Sequence, residues 1–282
     1  MDPAFLPTTP EELRQLGWDT LDVILVTGDS YIDSPFIGAA VIARVLEAAG
    51  FLVGIIAQPD SSSPADITRL GEPRLFWGVT AGSVDSLVAN TSANSWRRKN
   101  DDYTPGGLNN RRPDRATIVY TNLIRRSYKN TRPVVLGGIE ASLRRVAHYD
   151  YWTDALRRSI LFDAKADYLL YGMAEQSILA LAQALQSSQD PSQVRGLCYI
   201  TRQPPADFLE LPSYEAVAAD KLVFIDMFHT FYRNNDPLTA RGLYQRHGDR
   251  CLVQNPPAAY PTQVELDAVY ALPFTRLQHP YY

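Results

Sequence analysis

Short apolar segments, each followed by a polar or glycine-bearing turn and then by residues of helical period, restrict this chain to few architectures. Leu21 to Thr27, Phe51 to Ala57, Leu75 to Val79, Val134 to Leu136 and Ala166 to Tyr171 are such segments. Their β-branched, nearly continuous apolar character suits strands covered on both faces. Between them Ile42, Val45, Leu46 and Ala49 recur at helical spacing ahead of Gly50, which is placed for a left-handed helix end. Ile178, Leu181, Ala182 and Leu185 make a second stripe. The alternation predicts an α/β fold, a parallel five-stranded sheet flanked by helices.

In such a sheet the loops leaving the carboxyl ends of the strands open on one edge, and ligands bind there. That edge should gather Thr27, Gly28, Asp29 and Asp33 after the first strand, Gln58 and Asp60 after the second, and Thr80 and Gly82 after the third. Gly137, Gly138 and Glu140 follow the fourth, and Gly172 and Glu175 the fifth. All are candidate ligand-binding residues. Pro133 to Arg145 reads as strand, tight glycine turn and helix start, where unpaired N–H groups favour an anionic ligand. The same pattern also serves as a plain tight turn in many α/β proteins. A dinucleotide fingerprint after the first strand and a phosphate-binding loop ending in Gly-Lys-Ser/Thr are both absent.

Several stretches break the pattern. Asn90 to Arg112 is a long polar tract with Trp96, Arg97, Arg98 and Lys99, suited either to a ligand or partner or to solvent. Asp114 should cap the helix after it, and Thr9 with Pro10 should begin an earlier one. From Glu140 to Phe162, two helices joined near Tyr149 to Thr153 would let Arg144, Arg145, Arg157 and Arg158 pair with Glu140, Asp150, Asp154 and Asp163 as a structural ion network, a ligand clamp being the lesser alternative. His148 is expected as a satisfied structural residue. Lys221 to Arg233 reads as a docked helix, and Gly248 to Tyr282 as an extended tail.

The 27 Lys and Arg against 31 Asp and Glu give a net charge of −4, which argues against a general nucleic-acid binder; nucleic acid is an unlikely partner. A basic module on Arg97 to Lys99 with Arg111 and Arg112 is the weakest alternative. Met1 to Pro7 carries no secretory signal, and no run reaches membrane-spanning length, so a cytoplasmic location is expected. Cys198 and Cys251 read as small core residues in a reducing compartment.

Phe5-Leu6-Pro7-Thr8-Thr9, Leu16-Gly17-Trp18-Asp19, Asp22 to Asp29, Gly54 to Asp60, Pro113 to Thr117, Leu136 to Arg145, His148 to Trp152 and Cys251 to Pro257 carry a resemblance over almost the whole chain. In these runs the sequence resembles the N-terminal domain of the YgiQ-like radical SAM proteins. The resemblance implies a Rossmann-like, cobalamin-binding-domain-like sheet of order 3-2-1-4-5; the run of segments places this α/β domain over residues 1–200, with an insertion at about 83–112 and an extension over 201–282. It also implies a 4Fe-4S cluster and S-adenosylmethionine in the full-length family, with a radical SAM core in cis as partner. Where cobalamin binders of the D-x-H-x-x-G kind have their cobalt-ligating histidine, this chain has Pro35, which excludes a histidine-bound cobalamin there. A loosely held cobalamin is the lesser alternative to none.

Radical SAM cores ligate three irons through C-x-x-x-C-x-x-C, and this chain has no such triplet. The expectation is a non-catalytic accessory or substrate-facing domain without a cofactor of its own, a fragment or prematurely ended frame whose core would follow. The rival is a stand-alone small-molecule binder or hydrolytic enzyme using the crevice, with Asp29, Asp33, Glu140 and Glu175 as its acids or bases.

Overall fold

The computed structural model describes residues 4–282; Met1 to Pro3, where the leader reading begins, lie outside the described residues. Two compact units divide it, one running to Glu140 and completed by Pro261–Tyr282, the other formed by Ala141–Tyr260.

In the first unit, α1 (Pro10–Leu16) opens with a reciprocal capping box between Thr9 and Glu12, with Pro10 in its first turn. Strands β1 (Val23–Thr27) and β2 (Val53–Ala57) are buried at every residue, as their unbroken apolar runs require. Helix α2 (Gly38–Ala48) and the short α3 (Ala65–Thr68) come next in the β-α-β succession, and β3 (Phe76–Thr80) follows. Helices α4 (Ser86–Asn90) and α5 (Ala116–Ser127) then lead to β4 (Val134–Leu136).

The α/β class is as expected, but the order of strands is not. The parallel order is β2-β1-β3-β4, so β3 pairs with β1 and not with β2. Thr27 stands level with Thr80 in that pairing, and the Gly28 N–H extends it to the Thr80 carbonyl at 3.2 Å. The change of direction in strand order therefore lies between β1 and β3, which is where an open sheet of this order offers its crevice.

Helix α6 (Gly138–Leu143) spans the division between the units. In the second unit no helix pair forms around Tyr149. A hairpin of β5 (His148–Asp150) and β6 (Ala155–Arg157) stands there instead. The Asp150 carboxylate accepts from Trp152 N–H at 3.1 Å and Thr153 Oγ1 at 3.0 Å, which turns the chain back on itself. Arg157 pairs with Asp163 at 2.7 Å and Asp150 at 3.7 Å, and Arg158 reaches Asp163 at 3.8 Å. Asp154 accepts from the Tyr149 hydroxyl at 2.9 Å.

Helix α7 (Ile160–Ala164), β7 (Tyr168–Leu170), α8 (Glu175–Gln186) and β8 (Leu197–Thr201) follow. Then come β9 (Leu209–Leu211), α9 (Tyr214–Ala219), α10 (Lys221–Arg233), β10 (Leu243–His247) and β11 (Arg250–Gln254). Their strands lie in the order β7-β8-β11-β10-β9, antiparallel except for β10 with β9.

The stretch expected as an extended tail carries a strand and a helix. β11 opens it, and α11 (Gln263–Tyr270) has a Thr262–Glu265 capping box. The last residues return to the first unit, where the Tyr282 hydroxyl accepts from the Ala57 N–H at 2.8 Å and lies 2.8 Å from Thr8 Oγ1. Among the described residues no helix is long and apolar enough to cross a membrane.

Candidate functional site

Gly28 and Asp29 leave β1 at the point where Thr80 to Gly82 leave β3, and the two chains touch. A β-carbon at Gly28 would lie 2.1 Å from the Ala81 carbonyl oxygen, and one at Gly82 would lie 2.1 Å from Asp29 Oδ1. Both glycines are there because backbone packs on backbone and on a buried carboxylate. Thr80 Oγ1 accepts from the Gly82 N–H at 3.2 Å, and a β-carbon at Gly138 would overlap that same hydroxyl.

Arg112, from the polar tract, fills this edge. Its side chain is wholly buried; Nη2 donates to Asp29 Oδ1 at 2.6 Å and Nε to the Gly28 carbonyl at 3.0 Å. Nη1 lies 3.3 Å from Asp101 Oδ2. Gln58 donates through Nε2 to the same Gly28 carbonyl at 2.9 Å and to Thr104 Oγ1 at 2.7 Å, and Thr104 donates on to Asp101 at 2.7 Å. Asp29 accepts further from the Ser83 N–H at 2.6 Å. Burial pushes its carboxyl above the usual carboxylate range, against the opposing pull of Arg112.

Glu140 is buried at the starts of α4 and α5. Oε2 accepts from the Ser86 N–H at 2.9 Å and from the Ser86 hydroxyl, and Oε1 accepts from the Thr117 N–H at 3.0 Å. A helix N-terminus attracts an anion; here the anion at both helices is the protein's own carboxylate. The carboxylate expected to cap α5 does not do so. Arg115, in left-handed conformation, holds the N-cap position, and Asp114 accepts instead from Asn90 Nδ2 at 2.6 Å and Arg97 Nη1 at 2.9 Å.

Asp33 lies apart from this cluster in its contacts. It forms a buried ion pair with Arg44 through both guanidinium nitrogens Nε and Nη2, and accepts from the Thr275 N–H at 2.9 Å. Burial opposes the Arg44 charge, yet the bonds to Asp33 and Glu47 hold its pKa above the ordinary arginine value. Asp60 is exposed, and its bonds from Ser62 hold it below the usual range. The Gly137 N–H extends β4 to the Val79 carbonyl at 2.9 Å. Gly172 and Glu175 belong to the second unit, Gly172 exposed with φ +75° and Glu175 opening α8.

Thr27, Gly28, Asp29, Gln58, Thr80, Gly82 and Gly138 are thus brought together, with Glu140 beside helices α4 and α5. Sequence reasoning missed Arg112, Asp101, Thr104 and Arg44. Arg112 was legible only as half of an Arg-Arg pair, a pattern that suggests an exposed basic patch. That patch is dispersed: Arg97 pairs with Asp114, and Arg98 Nε donates to the Val88 and Thr91 carbonyls. Two buried hydroxyls on α5, Thr117 Oγ1 and Tyr120 Oη, have no hydrogen-bond partner among the described residues, and Tyr120 titrates above its usual range chiefly through burial.

The family model described as Radical SAM N-terminal matches residues 5–282. The chain belongs to that family. This radical SAM N-terminal chain is 54% identical to a UPF0313 protein of Fusobacterium nucleatum over 279 residues, 99% of its own length and 49% of the relative's. It is 53% identical to a UPF0313 protein of Thermotoga maritima over 281 residues, again 99% against 49%. It spans about half the length of the curated relatives it matches. Among solved structures, the radical S-adenosylmethionine methyltransferase TsrM of Kitasatospora setae, with tryptophan substrate and a SAM analogue bound, matches at 20% identity and TM-score 0.42. That match covers 63% of this chain and 28% of TsrM.

A radical SAM cluster needs thiolates, and the residues of this N-terminal chain do not fit one. Its two thiols are both buried, on adjacent strands with Cys198 level with Gln254 and Cys251 level with Thr201. Burial pushes the Cys198 thiol up to about 12. Among the described residues no group of three or more His, Cys, Asp or Glu side chains could hold a metal ion. Pro35 offers no ligating side chain, and Asp33 near it is taken up by Arg44 and the Thr275 N–H.

Proposed function

We propose that this chain is the accessory, substrate-facing part of a radical SAM protein, and that the full-length family supplies the cluster and S-adenosylmethionine through a core in cis. On this proposal the chain is not catalytic by itself. The observation that carries the reading is the strand-end edge: Asp29, Gln58 and Glu140 are engaged by Arg112, Gly28, Thr104, Ser86 and Thr117. No nucleophile with its base stands among them. A buried, hydrogen-bonded ion pair fixes an arrangement more readily than it performs chemistry. The test is cleavage of S-adenosylmethionine under strong reduction. This chain should release no 5′-deoxyadenosine, while the full-length Thermotoga maritima relative should; release by this chain alone would overturn the reading.

A second reading, a small-molecule binder at the same edge, is favoured by the partnerless hydroxyls of Thr117 and Tyr120. The proposed ligand-binding residues are those of the first unit's strand ends: Thr27, Gly28, Asp29, Asp33, Gln58, Asp60, Thr80, Gly82, Gly137, Gly138 and Glu140. A thermal-shift screen of nucleotides, cobalamins and adenosyl compounds separates the two readings, since a saturable rise abolished by Asp29→Asn would favour the binder.

A further inference from the structure

Arg145 is a buried cation without a buried anion. Nine-tenths of it is shielded from solvent, and its guanidinium is served only by neutral acceptors. Nε donates to Gln254 Oε1 at 2.9 Å, Nη1 to the Ser142 carbonyl at 2.6 Å and Nη2 to Asn235 Oδ1 at 2.8 Å. The rings of Tyr171 and Phe231 each stand 4.4 Å from its Cζ. Among the described residues no aspartate or glutamate pairs with it, and burial lowers its pKa. This contrasts with Arg44 and Arg112, each of which sits on a buried carboxylate.

A buried charge is ordinarily paired, because desolvating it costs several kcal/mol that neutral hydrogen bonds and ring faces offset only in part. A guanidinium cannot escape by losing its proton. Of its five N–H groups three are used here, which leaves two donors. Beside it, Gln254 must turn its oxygen toward Arg145, since a donor cannot face a donor. Its buried Nε2 then has no hydrogen-bonded acceptor beyond an approach to the Tyr171 hydroxyl. Surplus donors and an uncompensated positive charge therefore coincide at one place. The chain leaves it through exposed Gly172 and Met173, which follow Tyr171.

We propose that Arg145, with Gln254 and Asn235, forms a recognition site for a carboxylate-bearing small molecule. The Tyr171 and Phe231 rings cover the guanidinium, so an anion reaches it in its own plane. A planar carboxylate matches that approach through two parallel N–H bonds, and a tetrahedral phosphate matches it less well.

The test uses the purified chain near pH 7, where carboxylic acids are ionised, with acetate, inorganic phosphate and chloride compared at equal ionic strength. Acetate should raise the thermal midpoint saturably above chloride and above phosphate. It should also shift the Arg145 Nε–H resonance of the wild-type protein. Arg145→Lys, which keeps the charge and loses the fork, should weaken the acetate response by about tenfold or more. Arg145→Met should abolish the response while unfolding no earlier than wild type in chloride, because it removes an unpaired cation. An equal acetate rise in Arg145→Met, no movement of the Arg145 resonance, or phosphate acting as strongly as acetate would overturn the assignment. If Arg145→Met does not fold, the resonance shift and the Arg145→Lys titration decide the matter alone.

Discussion

Replacing Arg112 by methionine tests how the strand-end edge is held. The substitution keeps much of the side-chain volume but removes the charge that faces Asp29 at 2.6 Å and Asp101 at 3.3 Å, and one of two donors to the Gly28 carbonyl. Asp29 is 1% exposed and Asp101 6%, so water cannot replace the lost partner. Breaking a buried pair from one side costs about 3–5 kcal/mol, a large share of the roughly 5–15 kcal/mol that holds a domain folded.

The pH dependence has a definite sign. The Asp29 carboxyl already titrates above its unfolded value, and losing Arg112 raises it further. Over the window between those two values the folded protein binds more protons than the unfolded chain, so stability falls as pH rises through it. The deficit of Arg112→Met relative to wild type should therefore be greatest at about pH 7 and shrink by about pH 5. Adding Asp29→Asn should recover part of the loss, with a coupling of at least about 1 kcal/mol. Urea unfolding of the four proteins at both pH values, followed by near-ultraviolet circular dichroism, measures all of this. A deficit under about 1 kcal/mol, or one that grows toward acid, would refute the reasoning.

Gly28→Ala should destabilise by about 1–3 kcal/mol or more, because its β-carbon collides with a backbone oxygen that cannot turn aside; urea unfolding reads the loss. Glu140→Gln keeps the shape but removes the charge at the starts of α4 and α5, and should cost about 1–2 kcal/mol in the same assay. Tyr282→Phe should strand the Ala57 N–H and remove one acceptor from Arg69, which keeps Thr8 and Asp66, costing about 1–3 kcal/mol. Hydrogen exchange at Ala57 should accelerate, and unchanged protection there would contradict the tail's role.

The sequence revealed the elements whose signal is local. Val23–Thr27 and Val53–Ala57 are nearly continuous apolar runs, and Thr9 with Pro10 marks a helix start within two residues. Strand order is not local. β3 takes its place against β1 through the pairing of Val23–Thr27 with Phe76–Thr80, and the apolar character of its run does not say which edge it joins. The hairpin at His148–Arg157 was hidden for a similar reason, since three-residue strands carry too little period to compete with a helical pattern of charges.

At the candidate site the glycines and acids were legible because turns and carboxylates have sequence signatures. Arg112 was not, because nothing in an Arg-Arg pair says which of the two will be buried. Likewise Asp33 reads as a crevice acid and is taken up by Arg44, eleven residues later on the following helix.

Iron content after anaerobic reconstitution with iron and sulfide bears most directly on the accessory-domain proposal. This chain and the full-length Thermotoga maritima relative would be treated side by side, desalted, and assayed for iron and for cluster absorbance. The expected result is a colourless domain with no stoichiometric iron beside a brown full-length relative. A stable cluster on this chain, with its two buried thiols, would contradict the proposal.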